Sequence, residues 1–125
     1  RGRCHLPASW LATHAIGPDT LLTTGQPAAR ELALRLGGLA HAALDEVADY
    51  LDLIPAAHVR YRLFVLWPAL WARASLRVAL ADTRFPTGGS RPRLSRQSLW
   101  ASALSSLFVA SSHRGVRRLL AAPVR

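Results

Sequence analysis

Arg93, Ser95 and Arg96 lie where Arg93-Leu94-Ser95-Arg96 leads into an apolar-patterned stretch. Two guanidinium groups, a hydroxyl and the free backbone donors of a helix start would meet there, a combination that binds phosphate. The same residues also make an ordinary helix cap flanked by solvated arginines. A second candidate is acidic. Asp45 and Asp49, with Glu46 between them, have the i, i+4 spacing that suits a divalent cation. Yet Asp45, Asp49 and Asp52 share a face without apolar residues, while Leu44, Val47, Ala48 and Leu51 fall on the other. The acids therefore read as a solvated face, and no metal ligand is assigned. Cys4, His5 and His14 are irregularly spaced and lack a fourth ligand. No serine, histidine and acid stand in a motif context, so no catalytic residue is assigned.

Helices must position these residues. Leu32, Leu36, Leu39, Ala40, Ala43, Leu44, Val47, Leu51 and Ile54 recur at spacings of three and four, which predicts one amphipathic helix over Ala28 to Ile54. Its Gly37-Gly38 pair costs roughly 1 kcal/mol per glycine and marks close contact with another helix. A second helix is expected from Val59 to about Ala81. Between Leu63 and Ala72 it has no charged side chain, which suits burial on every side within a larger bundle. Pro68 predicts a kink near Leu66 or Trp67. Arg73 and Arg77 share a face and could meet acids on a neighbouring helix or stay solvated. Thr83 to Pro92 reads as a loop. Ser95 then stands as N-cap of a third helix running from Arg96 to about Leu120, and the basic tail from Arg114 to Arg125 is expected to fray. Ala8 to His14 and a turn opened by Pro18 are short connectors.

Half of the 125 residues are hydrophobic, and glycine and proline cluster at Ile16 to Pro27 and Phe85 to Pro92, which argues against disorder. All sixteen basic residues are arginine, against seven acids, for a formal charge of +9. The arginines are scattered among apolar residues and form no stripe, so nucleic acid is not expected as a partner. A single cysteine excludes an internal disulfide and fits a reducing compartment. No secretory signal is visible. The longest apolar stretch falls short of the ~20 residues that span a bilayer, so a spanning helix is not expected, while peripheral membrane contact stays open. The chain has no methionine, and it reads as a fragment.

Four segments carry a family resemblance. Phe64-Val65-Leu66-Trp67-Pro68 with Ala72-Arg73-Ala74-Ser75-Leu76 resembles the Phe-Cys-x-x-Pro…Ala-x-Ala-Thr-Leu helix of squalene synthases. Arg1-Gly2-Arg3-Cys4-His5-Leu6-Pro7 resembles the Gly-Arg-x-Tyr-Leu-Pro segment that follows the second aspartate-rich motif of squalene and phytoene synthases. Arg93-Leu94-Ser95-Arg96 is similar to the Lys-Val-Ser-Arg step of bacterial squalene synthases, and Tyr50…Ile54-Pro55 to the family's Tyr-x-x-x-Ile-Pro helix terminus. The chain departs from the pattern at His5, where tyrosine is usual, and at Arg73, where an aliphatic residue is usual. Ala69 takes the place of a glutamine found in animal enzymes.

The resemblance, closest to bacterial squalene synthase, implies an all-α fragment of the isoprenoid synthase helical bundle, with three main helices and short connecting helices. Residues 1–125 would be the C-terminal part of a head-to-head trans-isoprenyl diphosphate synthase domain. It implies a transferase that condenses two farnesyl diphosphates and reduces the product to squalene. Arg3, Phe64, Pro68 and Ala72 would bind substrate; Arg93, Ser95 and Arg96 would bind NADPH. Magnesium would sit on aspartates upstream of Arg1, so the isolated chain is expected to be inactive, and its place is cytoplasmic or membrane-peripheral. Two alternatives stay open. Phytoene synthases share the opening motif but usually carry arginine and tyrosine in place of Phe-x-x-x-Pro, and a noncatalytic relative would act as an interaction or assembly protein.

Overall fold

A computed structural model describes residues 6–17, 19–21, 27–87 and 93–121. Among these are five helices and no strand: α1 (Ala8–Thr13), α2 (Pro27–Leu53), α3 (Val59–Ala81), α4 (Arg96–Val109) and α5 (His113–Ala121). The all-α expectation holds. Helix α2 packs on α3, α3 on α4, α4 on α5, and α5 back on α2, which makes a ring of four. Pro27 opens α2, a position where its missing N–H costs nothing. At 27 residues the helix is about 40 Å long and serves as the spine.

The main core forms where the end of α2, the middle of α3 and α5 converge on Leu51, Ile54, Leu66, Ala69, Leu70, Val116 and Leu120. A second cluster of Leu11, Leu21, Ala29 and Leu32 ties the N-terminal connector to the start of α2. Trp10 reinforces that tie, because the Arg35 guanidinium lies 4.1 Å from its ring centroid. Gly37 makes the close helix contact expected of it. A Cβ there would come within 2.6 Å of Leu80 Cδ1 on α3, whereas one at Gly38 would meet open space.

Several sequence expectations need correction. The third helix is two helices, broken at 110–112, because Ser112 accepts a hydrogen bond from the Gly115 N–H at 3.1 Å and so caps a new start. The reversal brings Gly115 so close to α4 that a Cβ would lie 2.8 Å from Val109 Cβ. The basic tail does not fray through α5, since Val116 and Leu120 are buried in the core; residues 122–125 lie outside the described residues. Finally, α3 is not buried on every side. Leu63, Leu66, Ala69 and Leu70 are buried, but Phe64 is 73% exposed and Pro68 and Ala72 are exposed as well. The helix runs on through Pro68. By length and composition α3 could also cross a bilayer, contrary to the sequence expectation, although such a helix is equally the kind that forms a soluble core.

The acidic face of α2 is not simply solvated. Asp45 accepts from Arg73 of α3 at 2.7 Å, and Asp49 and Asp52 share Arg117 of α5. Asp52 also meets His113 Nδ1 at 3.0 Å. The carboxylates thus fasten the spine to both neighbours. The His113 bond holds the Asp52 carboxyl below the usual carboxylate range; partial burial opposes that, and Arg117 adds to it. A carboxyl whose pKa falls on folding stabilises the fold above its unfolded-state value, near 3.9, and that contribution is lost as pH drops through the folded-state value.

Gly115→Ala should destabilise the chain by about 1–3 kcal/mol through overpacking, while Gly38→Ala should stabilise it by about 0.5–1 kcal/mol, both read from urea unfolding. In the same assay repeated from pH 6 to pH 2, the wild type should lose more stability than Asp52→Asn as the carboxyl protonates; parallel acid slopes would remove Asp52 from the account.

Candidate functional site

One face of α3 carries a connected apolar surface. Trp67 and Trp71, one turn apart, stack with ring centroids 6.2 Å apart and planes inclined by 18°. Their indole N–H groups cross to α4: Trp67 Nε1 donates to Ser106 Oγ at 2.7 Å and Trp71 Nε1 to Ser102 Oγ at 3.2 Å. Each serine hydroxyl in turn donates to its own helix backbone, Ser106 to Ala103 O and Ser102 to the carbonyls of Ser98 and Leu99. Both polar tips are therefore satisfied, and the serine side of α4 is used for positioning.

Two grooves meet at this pair. On one side a groove of about 370 Å³ is lined by Arg60, Leu63, Phe64 and Pro68 together with both tryptophans. On the other, a groove of about 600 Å³ is lined by Arg96, Leu99, Trp100 and Ala103 with the same two rings. No carboxylate lines either one. The surface offers apolar area, π faces and two guanidinium groups; it has the means to hold a hydrocarbon with an anionic end and lacks a side-chain acid or base. A separate apolar cavity of about 340 Å³ lies between α2 and the far half of α3, lined by residues such as Leu32, Leu36, Leu76, Leu80 and Phe85.

The structure brings part of the candidate set together. Phe64, Pro68 and Arg96 share this surface, joined by the tryptophan pair. Ala72 is exposed on α3 but lines neither groove. Arg93 and Ser95 are exposed just before α4, and Ser95 is the N-cap expected of it, accepting from the Ser98 N–H at 3.1 Å. The cap satisfies one of the first backbone donors of α4, and the N–H groups of the first turn have no partner within the helix. Arg3 lies outside the described residues.

Trp67, Trp71 and Trp100 were missed by sequence reasoning. The i, i+4 spacing of the first two was a usable signal; their serine partners, more than thirty residues away, were not. Asp45, Asp49 and Asp52 are occupied by Arg73, Arg117 and His113, and no group of three His, Cys, Asp or Glu side chains among the described residues is placed to hold a metal. Tyr50, at the helix terminus that resembles the family's, meets the Tyr61 hydroxyl at 3.0 Å, and this contact raises its pKa.

Comparison with known proteins agrees with the motifs. The family model for squalene/phytoene synthase matches residues 1–98, which takes in α1 to α3 and the start of α4. No curated protein and no solved structure matches the chain. With 98 of its 125 residues inside that match, the chain belongs to the squalene/phytoene synthase family, whose members are transferases.

Proposed function

We propose that these residues are the C-terminal part of a squalene synthase-like prenyltransferase that joins two farnesyl diphosphates head to head and reduces the product with NADPH. The observation that carries this reading is the continuous surface from Phe64 and Pro68 across Trp67 and Trp71 to Arg96. An isoprenoid chain has no polar group to recognise along its length, so binding rests on apolar contact and exclusion of water. Phe64 and the tryptophan pair supply that contact, and their π faces suit a hydrocarbon that passes through cationic states. Arg3, by the family motif, would stand beside the diphosphate and stabilise its negative charge.

The described residues do not fit a magnesium site, because the clustered carboxylates of α2 are bonded to arginine and histidine. By resemblance the magnesium ligands would precede Gly2-Arg3. The start of α4 would suit the phosphate of a dinucleotide, since Arg93 and Arg96 are both exposed there and a helix start carries free backbone donors. NADPH bound there would supply hydride; Arg93 and Arg96 would hold its phosphate and orient it toward the groove that Arg96 lines.

The reading frame that contains these residues, expressed with farnesyl diphosphate, magnesium and NADPH, should yield squalene by gas chromatography and mass spectrometry; a phytoene-type product, or none, would overturn the proposal. In that enzyme Phe64→Ala should lower kcat/KM for farnesyl diphosphate by ~10-fold or more without unfolding it, because the side chain is exposed. Arg93→Ala with Arg96→Ala should raise the NADPH KM by ~10-fold or more, and an unaltered KM would remove the assignment. The 125-residue chain by itself should turn over no farnesyl diphosphate.

A further inference from the structure

The cavity between α2 and the far half of α3 takes no part in the tryptophan surface, since it shares no lining residue with either groove there. It measures about 340 Å³, and every side chain that lines it is apolar. Leu36 of α2 and Leu80 of α3 belong to two of its walls. Leu21 closes it from the N-terminal connector, and Phe85 from the turn after α3.

These walls are held apart and held in place. Gly37 already brings α2 and α3 as close as they can come, because a Cβ there would meet Leu80 Cδ1 at 2.6 Å, so the two helices cannot close further on the space. Two arginines of α2 pin the outer walls. Arg30 donates to the carbonyls of Leu80 at 2.6 Å, Asp82 at 3.2 Å and Phe85 at 3.4 Å, which fixes the turn that follows α3. Arg35, 4.1 Å from the Trp10 ring centroid, fixes the connector, whose Leu21 is buried in one cluster with Leu32. Neither arginine lines the cavity itself. Water inside it would find no hydrogen-bond partner, and the cost of leaving such a space empty grows with its volume. The stretches that adjoin its rim in sequence, Leu22-Thr23-Thr24-Gly25-Gln26 and Gly88-Gly89-Ser90-Arg91-Pro92, offer little apolar bulk to fill it.

We propose that this cavity is a second binding site, which takes a neutral hydrocarbon of roughly ten to fifteen carbons, scaled from the ~150 Å³ apolar cavity that holds benzene. The lining sets the chemistry. A ligand with a hydroxyl, carboxylate or phosphate buried here would lose its hydrogen bonds to water and gain none, whereas a hydrocarbon gives up nothing and brings apolar contact on all sides. Pinned walls favour binding further, because the site is formed before the ligand arrives and little ordering is left to pay for. The site does not depend on the reaction proposed above, and its occupancy is measured without prenyl diphosphate.

The test uses N-phenyl-1-naphthylamine, an uncharged probe whose fluorescence rises in apolar surroundings, with limonene as the competing hydrocarbon, on the complete reading frame that contains these residues. The probe is expected to bind and to be displaced by limonene. Ala33→Phe, which places a ring in the cavity, should weaken limonene binding by ~10-fold or more. Leu36→Ser should weaken it by ~3-fold or more, and since Leu36 is half exposed this variant keeps its fold, as an unchanged far-ultraviolet circular dichroism spectrum would record. Limonene that fails to displace the probe, or that binds wild type and both variants equally, would overturn the proposal. So would a loss of binding confined to Phe64→Ala, which places the hydrocarbon in the grooves of the tryptophan pair, or an absence of binding because another part of the protein already fills the cavity.

Discussion

The Arg62 side chain is the constraint around which the helices are set. It lies at the start of α3 and is fully buried, yet it carries a permanent charge. Removing such a group from water costs several kcal/mol, so its surroundings must return that energy. Its Nη1 donates to the Ile54 carbonyl at 2.8 Å, just beyond the end of α2, where the helix dipole favours a cation. His113 Nδ1, at the start of α5, stands 3.5 Å from the same nitrogen and 3.0 Å from Asp52. That ring nitrogen can accept from Arg62 or donate to Asp52, but a single tautomer cannot do both. Arg62 Nε and Nη2 have no hydrogen-bond partner among the described residues. One guanidinium thus decides how the α2–α3 turn closes and where α5 must begin.

From that point the site follows by position. Closing the turn on Arg62 buries Leu63, Leu66 and Leu70 on one side of α3 and leaves Phe64, Pro68 and Ala72 on the other. The tryptophans fall at the edge between the two, close enough to α4 to be caught by its serines. The exposed side is the one to which the proposed function assigns the isoprenoid chain. Pro68 lies on that outer side, and α3 continues through it although the ring removes one backbone donor.

Local patterns were legible in the sequence, and long-range pairings were not. The bounds of α2 and α3 could be read from apolar spacing, from Pro55 between them and from the capping hydroxyl at Ser95, all of which act within a few residues. The break at 110–112 was hidden, because Ser111 and Ser112 fit a small-residue helix face as well as they fit a cap. Its cause is tertiary: Gly115 lets α5 fold back against Val109. The acids of α2 looked solvated for the same reason, as Arg117 lies 65 residues beyond Asp52. Of the candidate site, Phe64, Pro68 and Arg96 were named from motifs, but the tryptophans that line the same grooves needed the fold.

The stacked tryptophans have an optical consequence. Two indoles 6.2 Å apart, each anchored through its N–H to a serine of the next helix, have transition dipoles in a fixed mutual orientation. Such chromophores share their excitation, and the sign of the resulting circular dichroism couplet reports the twist between the rings. The seam between α3 and α4 therefore carries its own label, and a molecule that seats itself in either groove writes its arrival into the absorption of the protein.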